Sequence, residues 1–110
     1  MTIATESVNI WRWGVKSLII SFKSKHTKEI WEGNFVKKLP TDIQHVARRK
    51  LRMLNNSKSL ADLKSPPSNN LEGLRGDRAG FYSIRINKQW RICFRFEGGN
   101  VHDVEIVDYH

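Results

Sequence analysis

Two runs toward the C-terminal end alternate too regularly to be anything but neighbouring strands. In Trp90 to Phe96, Trp90, Ile92, Phe94 and Phe96 point one way and Arg91, Cys93 and Arg95 the other. Glu97-Gly98-Gly99-Asn100 turns the chain into Val101 to Tyr109, where His102, Val104 and Ile106 alternate with Asp103, Glu105 and Val107. Upstream, Leu71 to Arg75 reads as a short strand, Gly76 to Gly80 as a turn, and Phe81 to Asn87 as a strand with Tyr82, Ile84 and Ile86 on one face. A sheet with one apolar face has to bury that face against another layer.

The preceding residues supply the cover. Pro40 introduces Thr41-Asp42-Ile43-Gln44, a capping-box pattern in which the threonine oxygen and the glutamine side chain satisfy helix-end donors. Ile43, Val46, Ala47, Leu51 and Leu54 follow at helical spacing as a core face, with His45, Arg48, Arg49 and Arg52 on the opposite side. Lys50 falls in the apolar arc and is expected to snorkel. Ser24 can cap a two-turn helix that ends at Gly33, with Ile30 and Trp31 as its inner edge. Leu18, Ile19, Ile20 and Phe22 read as a short buried strand, and Leu60 to Lys64 as a turn before the loop at Ser65 to Asn70. The expected fold is α+β, with N-terminal helices packed on one face of a mainly antiparallel sheet. Residues 1–17 have no sustained period and are expected to be a disordered extension or a mis-annotated start, with Val15 or Leu18 as the true beginning and 18–110 as the domain.

A chain of 110 residues is the size of one domain. Its single cysteine, Cys93, allows no disulfide framework and no cysteine metal site, which fits a reducing cytoplasm. The apolar run Ser17 to Phe22 is far shorter than the roughly 20 residues of a membrane span. Net charge is +8, and residues 37–70 contribute +6 of it while 71–110 are balanced. The positive field therefore belongs to the segment that carries the long helix, where cations attract polyanions.

LEGLRGDRAGFYSIRINKQWRICFRF followed by VEIVDYH resembles the toxins of the RelE/ParE superfamily, in particular the HigB-like branch. The resemblance covers about residues 18–110. Its most specific parts are the turn at Gly76 to Gly80, Ser83 to Ile86, Gln89 to Ile92 and the closing Asp108-Tyr109-His110. It implies a RelE-like α+β toxin of a type II toxin-antitoxin system, a ribosome-dependent endoribonuclease that cuts mRNA in the A site of the 30S subunit without a metal or other cofactor. It also implies a HigA-like helix-turn-helix antitoxin as partner. By the resemblance, the active positions fall on Arg75, Arg91, Asp108, Tyr109 and His110. Where some relatives place a histidine, this chain has Glu72, so a carboxylate takes that place. A ParE-like gyrase poison of the same fold, without nuclease chemistry, is the alternative.

Metal-free RNA cleavage turns the 2′-OH on the adjacent phosphate and needs a base, an acid and cations. Arg75 and Arg91 are suited to the cations, because a guanidinium binds phosphate oxygens bidentately and stays charged. His110 is the natural proton carrier, and Asp108, two residues before it along a strand, falls on the same face. Tyr109 points to the other face of a regular strand. Arg85 and Arg95 opposite Asp103 and Glu105 read as a solvated charge ladder, Trp90 as core, and Cys93 as a small buried side chain. His45, Arg48, Arg49 and Arg52 are expected to meet rRNA phosphates, although the antitoxin could cover the same face.

Overall fold

A computed structural model of the chain describes residues 18–109. Two helices, α1 (Lys25–Trp31) and α2 (Thr41–Asn56), precede four strands, β1 (Glu72–Gly73), β2 (Phe81–Arg85), β3 (Trp90–Glu97) and β4 (Asn100–Asp108). The strands form one sheet in the order β1-β2-β3-β4, with every pair antiparallel. Short 3₁₀ turns at Leu60–Lys64, Pro67–Asn69 and Gly76–Arg78 fill the connections. No helix among the described residues is long and apolar enough to cross a membrane. The sequence boundary of 1–17 lies outside the described residues.

Local chemistry explains the helix ends. The Ser24 hydroxyl accepts from the Thr27 N–H and caps α1. Beyond Trp31, Gly33 adopts φ +94°, and the N–H groups of Gly33 and Asn34 donate to Ile30 and Glu29. That pair of bonds is a Schellman stop, which needs a residue free to take the left-handed conformation. Arg48 adds to it, donating from Nε to the Ile30 carbonyl at 2.9 Å and from Nη2 to the Asn34 carbonyl at 3.2 Å. Arg48 is thus tied to the end of α1, unlike the free cation that helical spacing implied.

The capping box is not formed. Pro40 stands at the N-cap of α2 with no side-chain bond to the helix. Gln44 instead turns inward and is buried; its Oε1 accepts from the Val36 N–H at 2.9 Å and its Nε2 donates to the Val36 and Leu39 carbonyls. The amide has one acceptor and two donors, which suit the open backbone of the α1–α2 loop better than a single helix-end donor does.

Ile43, Ala47, Leu51 and Leu54 of α2 meet Ile30, Leu63, Ile84, Ile92, Phe94, Val101, Val104 and Ile106 in one core between helices and sheet. Val46 is only half-buried. Trp90 packs against this core, as expected. Lys50 does not snorkel: it is 4% exposed and its Nζ donates to the Asn69 carboxamide oxygen.

Gly98 and Gly99 both have positive φ, +61° and +77°, so the two-residue turn that joins Glu97 to Asn100 has the twist a hairpin prefers. Strict alternation fails further along β4. Cys93 faces Glu105 but Arg95 faces His102, so Phe94 spans two residues, and Asp103 takes φ +53°. This bulge puts Val101, Val104 and Ile106 in the core and moves His102 to the Arg95 side, correcting the expected His102, Val104, Ile106 face. The Asp103 N–H donates to the Ser21 hydroxyl at 2.9 Å, and its carboxylate accepts from Arg95 Nε at 3.2 Å.

Residues 18–23 lie along the outer edge of β4 and run parallel to it through two isolated bridges, Ile19 to Val101 and Phe22 to Val104. They are less than the buried strand expected, and Ile20 is largely exposed. The interruption follows from the bulge, which breaks the even spacing a continuous ladder requires. Where the segment leaves β4, the Ile106 N–H donates to the buried Thr27 hydroxyl of α1 at 2.9 Å. The edge is thereby covered almost to its end.

Replacing Gln44 with Ala strands a buried N–H and C=O at Val36, and should lower unfolding free energy by about 1–3 kcal/mol in urea titration. A change below about 0.5 kcal/mol would mean that solvent satisfies the loop without help.

Candidate active site

Arg91 stands at the centre of the sheet, on the face turned away from the helices, and is 6% exposed. Its Nε donates to the Ser83 hydroxyl at 2.8 Å, and Nη2 donates to the Asn70 carbonyl and, at 3.4 Å, to the Ser83 carbonyl. Glu72 Oε1 lies 3.9 Å from Nη2. Asn70 can present its carbonyl there because it turns through the left-handed region at φ +48°, two residues before β1. One guanidinium therefore joins the loop, β2 and β3, with its Nη1 hydrogens unpartnered among the described residues.

Tyr109 covers this group. The Arg91 guanidinium sits 5.7 Å from the tyrosine ring centroid, in cation–π range. Burial, followed by the charge of the neighbouring Cys93, raises the Tyr109 pKa above the usual tyrosine value. The hydroxyl stays protonated around neutral pH and can donate a hydrogen bond. The Cys93 thiol is likewise pushed up, by burial first, while the neighbouring Arg78 charge and the Tyr109 hydrogen bond pull it down.

Asp108 lies on the other face. It pairs across the ladder with Trp90, on the helix side, and both its carboxylate oxygens accept from Gln89 Nε2 at 3.1 Å. The Gln89 carbonyl also accepts from the Tyr109 N–H. Gln89 thus fixes both described residues of the closing triplet. His110 lies outside the described residues.

Of the residues expected from sequence, the fold brings together Arg91, Tyr109 and Glu72. Arg75 is exposed at the N-cap of the Gly76–Arg78 turn, one short connection beyond β1. Arg91 is not the exposed sheet arginine that alternation implied; the far face is closed over it by Asn70 and Tyr109. Ser83, Gln89 and the Asn70 carbonyl were not foreseen as parts of the site. The first two lie in the short motifs already noted, and register makes Ser83 a diagonal neighbour of Arg91. A backbone carbonyl leaves no sequence signal. Arg95 forms the expected ladder with Asp103 and also pairs with Glu97, but Arg85 faces Arg91 and donates to the Asn87 carbonyl at 3.1 Å.

The family described as RelE-like toxin of type II toxin-antitoxin system HigB matches residues 20–110. The chain belongs to this HigB-like toxin family. Toxin HigB-1 of Vibrio cholerae is 35% identical over 83 residues, 74% of this chain and 87% of its own. Endoribonuclease HigB of Proteus vulgaris is 31% identical over 94 residues, 84% of this chain and all of its own. The YoeB/ParE toxin from Agrobacterium tumefaciens superposes with a TM-score of 0.51 over 87% of this chain and all of its own, at 18% identity, and shares the α+β fold. As a member of this RelE-like HigB family of type II toxin-antitoxin systems, this toxin has an antitoxin for a partner.

The two arginines of this HigB-like chain should behave differently. Arg91→Ala leaves the Ser83 hydroxyl and Asn70 carbonyl without a donor and should lose about 2–4 kcal/mol of stability. Arg75→Ala should change stability by less than about 0.5 kcal/mol. Equal effects in chemical denaturation would remove Arg91 from its structural role.

Stability at alkaline pH follows from the buried thiol. An unfolded cysteine ionises near about pH 8.5, and Cys93 only above its unfolded value. Its contribution is full below the unfolded pKa and is lost as pH rises through the folded one. Lys50, whose pKa is lowered by burial and by Arg49, works in the opposite sense, so the variant must be compared with the parent. Cys93→Ala should lose less stability than the parent between about pH 8 and 10.5; parallel losses in urea titrations would contradict this.

Proposed function

We propose that this toxin is an endoribonuclease that cuts mRNA on the ribosome, using side chains and no metal. The observation that carries the reading is the buried Arg91 guanidinium, roofed by a protonated Tyr109, the residue that precedes His110 in the sequence. The name of the Proteus vulgaris relative, Endoribonuclease HigB, supports it.

In this mechanism the 2′-OH attacks the neighbouring phosphorus in line, forming a 2′,3′-cyclic phosphate and expelling the 5′-oxygen. Arg91, with Arg75 from the adjacent turn, holds the phosphate oxygens as negative charge develops. Tyr109 donates a hydrogen bond to the same oxygens. Glu72, half exposed beside Arg91, is the carboxylate available to take the 2′-OH proton, and His110 delivers a proton to the departing 5′-oxygen. Asp108 acts through its place in the strand, since its carboxylate is turned to Gln89 on the other face. His45, Arg49 and Arg52 contact rRNA of the 30S A site, with Arg48 retained at the end of α1. The partner that silences the toxin is a HigA-like helix-turn-helix antitoxin, and the place of action is the cytoplasm.

Induced expression followed by primer extension tests the reading. The parent should arrest growth and produce codon-phased mRNA cuts that require translation. His110→Gln should lose about a hundredfold or more of the cutting rate with an unchanged melting transition. Double-strand DNA breaks without mRNA cuts would instead establish a ParE-like gyrase poison.

A further inference from the structure

A second basic site lies beside α2 and includes Arg85, the ladder neighbour of Arg91. A cleft of about 390 Å³ opens between α2, the loop at Pro66 and Ser68, and the turn from β2 to β3. Arg49, Lys50, Arg85 and Lys88 line it, and none of its lining residues is acidic. Two separate stretches of chain, α2 and the end of β2 with its turn, thus bring cations to one space.

Two features show that these charges lack a counter-ion. Lys50 is nearly fully buried, and its Nζ bonds to the neutral carboxamide of Asn69; among the described residues no carboxylate comes within ion-pair distance of it. Burying an ammonium without an opposite charge is costly, and the neighbouring Arg49 adds repulsion. Arg85, for its part, stands directly across the ladder from Arg91, an unfavourable like-charge pair. It pairs with no carboxylate among the described residues and lies instead along the cleft. An anion in the cleft would relieve both.

We propose that this cleft seats a backbone phosphate of RNA, with Lys50 at its floor and Arg49, Arg85 and Lys88 at its rim. Exposed walls at Arg49, Pro66, Ser68, Asn87 and Lys88 let a continuous strand pass where an enclosed pocket would admit only a small anion. The site extends the RNA contact from the outer face of α2 to the sheet. It rests on the RNA-cleaving reading only for the identity of the anion.

The test uses the full chain, a labelled 2′-O-methyl RNA that cannot be cut, and binding measured by anisotropy across a range of salt. R85Q/K88Q should lower the slope of log affinity against log salt by about 0.7, the value for one lost phosphate contact on a single strand. K37Q/K38Q changes the net charge equally on the α1–α2 loop, outside the cleft, and should leave the slope near the parent value. Lys50→Met keeps the side-chain volume and should weaken binding in the same direction as R85Q/K88Q. Equal slope changes in the two double variants would show diffuse attraction and overturn the proposal. So would inorganic phosphate alone binding tightly while the RNA slope stays unchanged in R85Q/K88Q. A parent that cuts mRNA in cells but whose RNA slope ignores R85Q/K88Q sinks the cleft and spares the nuclease reading; absence of cutting with an intact R85Q/K88Q effect does the reverse.

Discussion

The guanidinium of Arg91 is the group on which the rest of the sheet's far face depends. It is charged at every relevant pH, so it can be buried only if its surroundings supply acceptors, and three separate segments do so. The Asn70 carbonyl enters from the loop, Ser83 from β2 and Glu72 from β1, while Tyr109 closes over it from the end of β4. A two-residue strand as short as β1 has little to hold it by its own ladder. The arginine links it to the centre of the sheet.

The same arrangement separates two arginines that look alike in sequence. Arg75 stands exposed on a turn, whereas Arg91 is already committed to the fold. A phosphate that reached Arg91 would meet a preorganised cation, which costs little reorganisation when charge develops. In the proposed mechanism burial and chemistry meet in one residue, so a loss of activity at Arg91 would mix with loss of structure, while a loss at Arg75 would not.

On the helix side, polar groups do comparable work. Gln44 satisfies the α1–α2 loop, Arg48 the end of α1, Thr27 the edge of β4, and Asn69 the ammonium of Lys50. Each joins segments distant in sequence, so helices and sheet are held by specific bonds as well as by the apolar core. The basic segment of the chain is consequently divided. Arg48 is structural, and Arg49 and Lys50 line a cleft with Arg85 and Lys88.

Periodicity determined a good deal alone. Alternation in 90–96 and the paired glycines specified the hairpin, helical spacing identified the Ile43, Ala47, Leu51 and Leu54 face, and the ordered motifs from Gly76 to His110 pointed to the HigB-like family. These are local signals, set by neighbours within a turn or two of chain. What they missed is of another kind. The bulge at Asp103, the inward turn of Gln44, and the burial of Lys50 and Arg91 depend on partners 8 to 82 positions away. A polar side chain reads as exposed until the backbone carbonyl or carboxamide that will accept its hydrogen bond is brought beside it, and only the folded chain does that.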